Sequence, residues 1–325
     1  MNILLFAPSF FGYEQDIARR LTARGDRVTL IPENLDVVSH FCKFLKKRFP
    51  ERLMPEANRR FQRRIAAEGT DFDLVLVIRG RWMNADTVQA MRNRYGERCR
   101  LILYQWDSVT NNPNAPVLAP LFDRVLTSDP EDSRKYRWIY RPMFFNEEYL
   151  CAGKPWDERD IDFLLIGSLH SDRARIFSEL KDRCERDGAS YRAVLVEKRY
   201  IYLKRKYLDR QEGYTGMPDG EMTFRPISVR ETYRLYARAK TVVDYTHPGQ
   251  TGITQRTIDG IASGCKVITN NPRIRETSLY DPRRVFIYKD RLDFPADFPD
   301  AACEPVREDV LGKYTLQTFL EDILR

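Results

Sequence analysis

Asp244–Asn271 reads DYTHPGQTGITQRTIDGIASGCKVITNN. The apolar run Thr241–Tyr245 predicts a strand, Thr246–Gly252 a loop, Ile253–Ser263 a helix, and Lys266–Thr269 a second strand. A loop that feeds a helix N-terminus presents free backbone N–H groups and the positive end of the helix dipole, which together suit an anion. Gly249 and Gly252 let the backbone approach a phosphate closely. Gln250 lies between them, and Thr251 and Thr254 add hydroxyl donors. Arg256, in the first helical turn, can pair with a phosphate through two parallel N–H bonds. The plainer alternative is an ordinary strand–helix–strand unit in which Gly264 only caps the helix and Arg256 is solvated.

Upstream of this segment the same pattern begins afresh. Asp162–Ile166 predicts a strand, Gly167–Arg173 (GSLHSDR) a loop, 174–186 a helix and Tyr191–Val196 a strand. Residues 197–222 are basic and read as irregular, and a helix is expected over Val229–Ala239. The first half opens in the same way: a strand at Asn2–Ala7, the loop PSFFGY, a helix at 14–24 and a strand at Arg27–Ile31. Residues 39–68 form a long basic helical region that Pro50 and Pro55 are expected to break. Further strands are expected at Leu74–Ile78, Arg100–Tyr104 and Val125–Thr127, with a helix at Ala85–Tyr95. Short strands alternating with helices are the signature of parallel sheets. The 325 residues therefore divide into two domains, 1–150 and 151–325, joined by the polar stretch 145–161. A C-terminal helix is expected over Thr315–Leu324.

The run Asp259–Gly–Ile–Ala–Ser–Gly264–Cys–Lys–Val–Ile268 resembles the second half of the donor motif of GT-B glycosyltransferases. Gln250–Thr257 is similar to a run in bacterial proteins of capsule, exopolysaccharide and lipopolysaccharide synthesis. The resemblance implies an α/β chain of GT-B type: two Rossmann-like parallel-sheet domains facing a central cleft, with the last helix packing back on the N-terminal domain. It implies transfer of a sugar from a nucleotide-sugar to a hydroxyl acceptor, a glycan or lipid-linked glycan of the bacterial surface, with no cofactor and no metal. The nucleotide-sugar would sit on the C-terminal domain. Asp259 would hold the ribose, and Gly167, Ser168, His170 and Arg173 would line the phosphates. The family's first acidic position falls at Thr251, which leaves inversion or retention of configuration open. The loop Pro8–Glu14 would lie under the acceptor, with Phe10 against it.

An inverting enzyme needs a base for the acceptor hydroxyl. Glu14 is placed for that role, with Asp16 beside it, although an acid there also simply favours the helix dipole. Asp107, in Tyr104–Gln–Trp–Asp107, is the second candidate for base or acceptor contact, against a plain capping or turn role. Trp106 offers a stacking surface for a sugar, and Ser128–Asp129 is a weaker parallel.

The net charge of +7 favours an anionic partner. Two basic stretches interleave with aromatics: Lys43–Arg52 and Lys198–Lys206, the latter with Tyr200 and Tyr202. Each reads as a solvated face, as peripheral contact with an anionic membrane, or, less well, as a nucleic-acid surface; no nucleic-acid module is recognised, and none is expected as partner. Six cysteines without a CxxC pair and three scattered histidines point to free thiols and to no protein-built zinc site. No run approaches the roughly 20 apolar residues of a membrane span. The N-terminus reads as a buried strand, so a cytoplasmic location, peripheral on the membrane at most, is expected. Three rivals stand beside the transferase: a sugar-nucleotide epimerase or phosphotransferase of the same fold, a non-catalytic partner in polysaccharide assembly and, last, a nucleic-acid-binding protein.

Overall fold

Apolar runs too short for helices become the strands of two parallel sheets. The computed structural model describes residues 1–9, 12–33, 54–151, 154–169, 172–211, 213–215, 217, 222–225, 227–300 and 302–325. The chain divides into two compact units, Met1–Pro142 with Phe319–Arg325, and Met143–Thr318. The division thus falls before the polar stretch 145–161, which itself holds a short helix at Glu148–Cys151 and a 3-10 turn at Trp156–Glu158.

The first unit carries β1 (Asn2–Ala7), β2 (Arg27–Pro32), β3 (Leu74–Ile78), β4 (Arg100–Gln105), β5 (Arg124–Thr127) and β6 (Ile139–Tyr140) in the order β2-β1-β3-β4-β5-β6. Every pairing is parallel. Ile3 to Ala7 and Val75 to Ile78 are fully buried, because helices cover both faces of a parallel sheet. On one face Leu4, Phe6, Val75, Val77, Leu101 and Leu103 pack against Phe61 and Ile65 of the helix Met54–Ala67 and against Val88 and Met91 of the helix Ala85–Tyr95.

Pro55 is the second residue of the helix Met54–Ala67, the described part of the basic region. The rest of the basic region, including Lys43, Lys46, Lys47, Arg48 and Arg52, lies outside the described residues, as does Phe10.

The second unit carries β7 (Ile161–Ser168), β8 (Tyr191–Val196), β9 (Met222–Thr223), β10 (Ala239–Asp244), β11 (Lys266–Thr269) and β12 (Val285–Ile287), all parallel, in the order β12-β11-β10-β7-β8-β9. Counted along the chain, that is the Rossmann order 3-2-1-4-5-6 read from the other edge. The connection therefore reverses direction between β7 and β10, and ligands of open α/β sheets bind beyond the strand C-termini at such a switch point. Gly260 brings the helix Gln255–Ala262 tightly onto β10 and β11: a Cβ there would lie 3.1 Å from Val242 Cγ2 and 3.4 Å from Val267 Cγ2. Residues 199–208, read as irregular from sequence, form a helix at Arg199–Leu203 that continues as a wider turn through Lys204–Leu208.

Candidate functional site

The C-terminal ends of β7 and β10 carry the polar cluster of the second unit. β7 ends in Gly167 and Ser168, and the helix Arg173–Asp187 follows. Gly167 has φ +152°, a conformation that side-chain-bearing residues rarely adopt. The vacant side of this glycine faces two guanidinium groups. A Cβ on it would lie 3.5 Å from Arg256 Nη1 and 3.8 Å from Arg173 Cζ. The structure thus brings Gly167, Ser168, Arg173 and Arg256 together, although 83 positions separate Arg173 from Arg256 in the chain.

Each arginine is held by main chain. Arg173, only 4% exposed, donates from Nη1 to Ser168 O (2.7 Å) and from Nη2 to Tyr245 O (3.3 Å). Arg256 donates from Nη2 to the same Tyr245 carbonyl (3.1 Å). Burial, and then the neighbouring Arg256 guanidinium, push Arg173 below the usual arginine range. A guanidinium stays charged at neutral pH even so, and two cations therefore converge at this point.

Beneath Arg256 lies Asp244, the last residue of β10 and fully buried. Its Oδ1 accepts from Arg256 Nε at 2.8 Å. Its Oδ2 accepts from the hydroxyls of Thr246 (3.3 Å), Thr257 (3.2 Å) and Thr269 (3.1 Å). One carboxylate therefore ties β10, β11, the loop and the helix Gln255–Ala262 into one network that fixes the Arg256 fork.

The loop before that helix is pinned from the end of β11. Asn270 Oδ1 accepts from Thr246 N (2.7 Å), and Asn271 Nδ2 donates to Thr251 O (3.2 Å) and Gly252 O (2.9 Å). Gln250 closes a turn with its N–H on His247 O at 3.1 Å. Thr254 is the helix N-cap, and its Oγ1 accepts from Thr257 N at 3.3 Å. Asp259 is 2% exposed and receives Gln255 Nε2 at 3.0 Å, so Gln255 is the neighbour that a ligand reaching Asp259 would have to displace. The Gln255 amide also donates to Phe144 O, and its Oε1 is buried with no hydrogen-bond partner. Gly264 has φ +73°, and Arg159 donates to Ser263 O (2.7 Å) and Ala239 O (2.6 Å), closing the C-terminal end of the helix with a cation.

The sequence reading missed Asp244, Thr246, Asn270 and Asn271 as site residues. Their signal was present all the same, since each is a polar residue that ends or follows a short apolar strand. His170 lies outside the described residues.

The remaining candidates belong to the first unit. Glu14 sits in the first turn of the helix Tyr13–Ala23, 4% exposed, behind the left-handed Gly12. Asp16 is buried too and pairs with Arg19. Trp106 follows β4 and is buried, with its carbonyl accepting from Ser128 Oγ at 3.0 Å, while Asp107 is half-buried. Asp129 caps the helix Pro130–Tyr136, accepting from Glu131 N and Asp132 N. A pair unsuspected from sequence lies at the ends of β2 and β3. Glu33, fully buried, accepts from Arg79 Nε (2.9 Å) and Trp82 N (3.1 Å), and burial raises its carboxyl above the usual range despite Arg79. Arg79 adopts φ +74° there.

Among the described residues there is no group of three or more His, Cys, Asp or Glu side chains able to hold a metal ion. Nor, among them, is any helix long and apolar enough to cross a membrane.

No family model matches the chain, and no curated protein matches it by sequence. Solved structures do. HepE of Anabaena in complex with UDP and glucose superposes with a TM-score of 0.59 at 12% identity, covering 100% of this chain and 98% of that one. A glycosyltransferase from Rickettsia africae gives 0.58 at 13% identity, covering 99% and 96%. The fold is GT-B. A protein described as a UDP-N-acetylglucosamine 2-epimerase from Listeria monocytogenes shares it, with a TM-score of 0.53 at 11% identity over 99% of this chain and 95% of that one. At identities of 11–13% the likeness shows the fold alone.

Proposed function

We propose that this GT-B protein is a glycosyltransferase that moves a sugar from a nucleotide-sugar to a hydroxyl acceptor. The observation that carries the reading is the convergence of Arg173 and Arg256 over Gly167, at the switch point between β7 and β10. In the reaction the bond between the sugar C1 and the phosphate oxygen breaks, and a bond from C1 to the acceptor oxygen forms. Negative charge grows on the leaving phosphate, and two guanidiniums already held in place stabilise it without reorganising. Ser168, Gln250, Thr251, Gly252 and Thr254 are the further donor contacts we assign, with Asp259 and Gln255 toward the ribose. The acceptor, a surface glycan or its lipid-linked precursor, falls to the first unit, with Phe10 and Trp106 as contacts. Glu14 or Asp107 takes the proton of the acceptor hydroxyl. No metal and no nucleic acid enter this scheme.

The test is a thermal-shift series with UDP, GDP, CMP and dTDP. A nucleotide that binds the folded state raises its melting temperature. We expect one nucleotide to do so, and Arg256→Ala to weaken it about tenfold to a hundredfold, the worth of one charged hydrogen-bonded contact. Each variant is compared with its own unliganded melting temperature. No shift with any nucleotide at millimolar concentration would point instead to a non-catalytic partner in polysaccharide assembly.

The likeness to the epimerase supports a second reading, change of configuration on the nucleotide-sugar itself. NMR of UDP-N-acetylglucosamine incubated with the protein, acceptor omitted, separates the two: a new epimer replaces the transferase reading.

A further inference from the structure

The stretch Lys198–Arg210 reads KRYIYLKRKYLDR, with six basic residues (Lys198, Arg199, Lys204, Arg205, Lys206, Arg210) and one acid, Asp209. Its inward side is firmly anchored. Tyr202 is fully buried, its ring 6.2 Å from that of Tyr214, and its hydroxyl donates to Met217 O at 3.2 Å. Lys206 lies back along this side and donates to the Tyr202 hydroxyl at 3.2 Å. Arg205 donates to Glu197 (3.0 Å) and to the Tyr214 hydroxyl (2.6 Å).

The outward side is apolar. Tyr200 and Tyr207 are each 55% exposed, Leu203 38% and Leu208 78%. Positions 200, 203 and 207 share a helical face, and Leu208 extends it at the end of the wider turn. Phe224, also 38% exposed, lies with its ring 5.8 Å from that of Tyr202 at the same edge of the sheet, next to β9. Lys198, Arg199, Lys204 and Arg210 surround this face and are exposed.

We infer that this face docks the second unit onto an anionic phospholipid membrane. Leucines and tyrosines enter the boundary between headgroups and acyl chains, while the lysine and arginine stems lie along it with their charges at the phosphates. Charge complementarity selects this occupant. A second copy docked through the same patch would bring two basic segments against each other, since a twofold contact is self-complementary. A nucleic acid would use the charges and the tyrosine rings, but it has no use for Leu203 and Leu208. The inference is independent of the transferase reading, because none of these residues lies in the nucleotide cluster.

Co-sedimentation with vesicles tests it, using the full chain. Binding to vesicles rich in phosphatidylglycerol is expected, with little binding to pure phosphatidylcholine and release at high salt. Tyr207→Ser with Leu208→Ser, and separately Lys198→Gln with Arg199→Gln, are each expected to lower the partition coefficient at least tenfold. All four side chains are exposed, so the melting temperature and any nucleotide-induced shift should stay as in the parent protein, which keeps this test apart from that of the transferase. The inference is overturned if the parent protein ignores phosphatidylglycerol vesicles, or if both variants bind them as well as the parent. It is equally overturned if the serine pair instead abolishes a dimer or oligonucleotide binding while vesicle binding persists.

Discussion

Asp244 shows how one buried residue can fix the position of an arginine in a candidate site. Its carboxylate is fully buried and receives Arg256 and three threonine hydroxyls. Asp244→Asn keeps the shape but removes the charge opposite Arg256 and turns a donor toward donors. Removing one partner of a buried ion pair costs about 3–5 kcal/mol, and the 20% exposure of the Arg256 side chain lowers that to about 2–4 kcal/mol here. Urea denaturation measures this loss directly. Asp244→Asn is also expected to weaken nucleotide binding, and adding Arg256→Gln should then cost little more, because the two residues act as a unit. Full additivity of the two changes would mean that Asp244 does not position Arg256. From sequence Asp244 was legible only as the end of a strand; its four donors come from residues 246, 256, 257 and 269, which no local pattern connects.

At the scale of elements, the opposite end of the second sheet is held by a smaller network. Asp162, at the start of β7, accepts from Lys240 Nζ in β10 and from Ser190 N and Oγ just before β8, all at 2.8 Å. Burial works against its carboxylate, yet Lys240 and Ser190 hold it below the usual range. The unfolded chain therefore takes up the proton first as pH falls. The stabilisation is complete above the ordinary aspartate range and disappears as pH drops through the lowered folded value. Asp162→Asn is expected to cost about 0.5–1 kcal/mol at pH 7, the worth of a partly exposed ion pair, with the gap to the parent protein closing as pH falls below the ordinary aspartate range. A gap independent of pH would contradict this.

The helices and strands themselves were largely legible, because buried strands are continuous apolar runs and the helices carry a 3.6-residue period. The helix at Arg199–Leu203 was not, since its few residues lie in a strongly basic stretch and its apolar face at 200, 203 and 207 points to solvent; the buried Tyr202 anchors it.

For the whole molecule, the last helix, Leu316–Leu324, ends among residues of the first unit. Phe319 is fully buried, with its ring edge-on to Tyr104 at 4.8 Å and the Arg141 guanidinium 5.5 Å from its centre. Arg141 pairs with Asp322 at 3.0 Å, and Arg100 donates to Leu324 O at 3.0 Å. Phe319→Ala should destabilise the first unit by about 3–5 kcal/mol, as expected for a buried aromatic ring. Hydrogen exchange should then show lost protection in β4 to β6 while β7 to β12 keep theirs. Equal loss in both sheets would mean that the two units unfold as one.

The sequence by itself determined the α/β class, the tandem of two parallel-sheet units and the loop-to-helix form of the Gln250–Arg256 segment, because these follow from short-range periodicity and glycine placement. Only the tertiary structure decided the strand orders, and with them the switch point at which β7 and β10 end side by side. It alone brought Arg173 to Arg256, buried Asp259 beneath Gln255 and turned the Tyr200–Leu208 face outward. Those outcomes depend on which strand lies beside which, and that choice is set by packing between residues far apart in the chain.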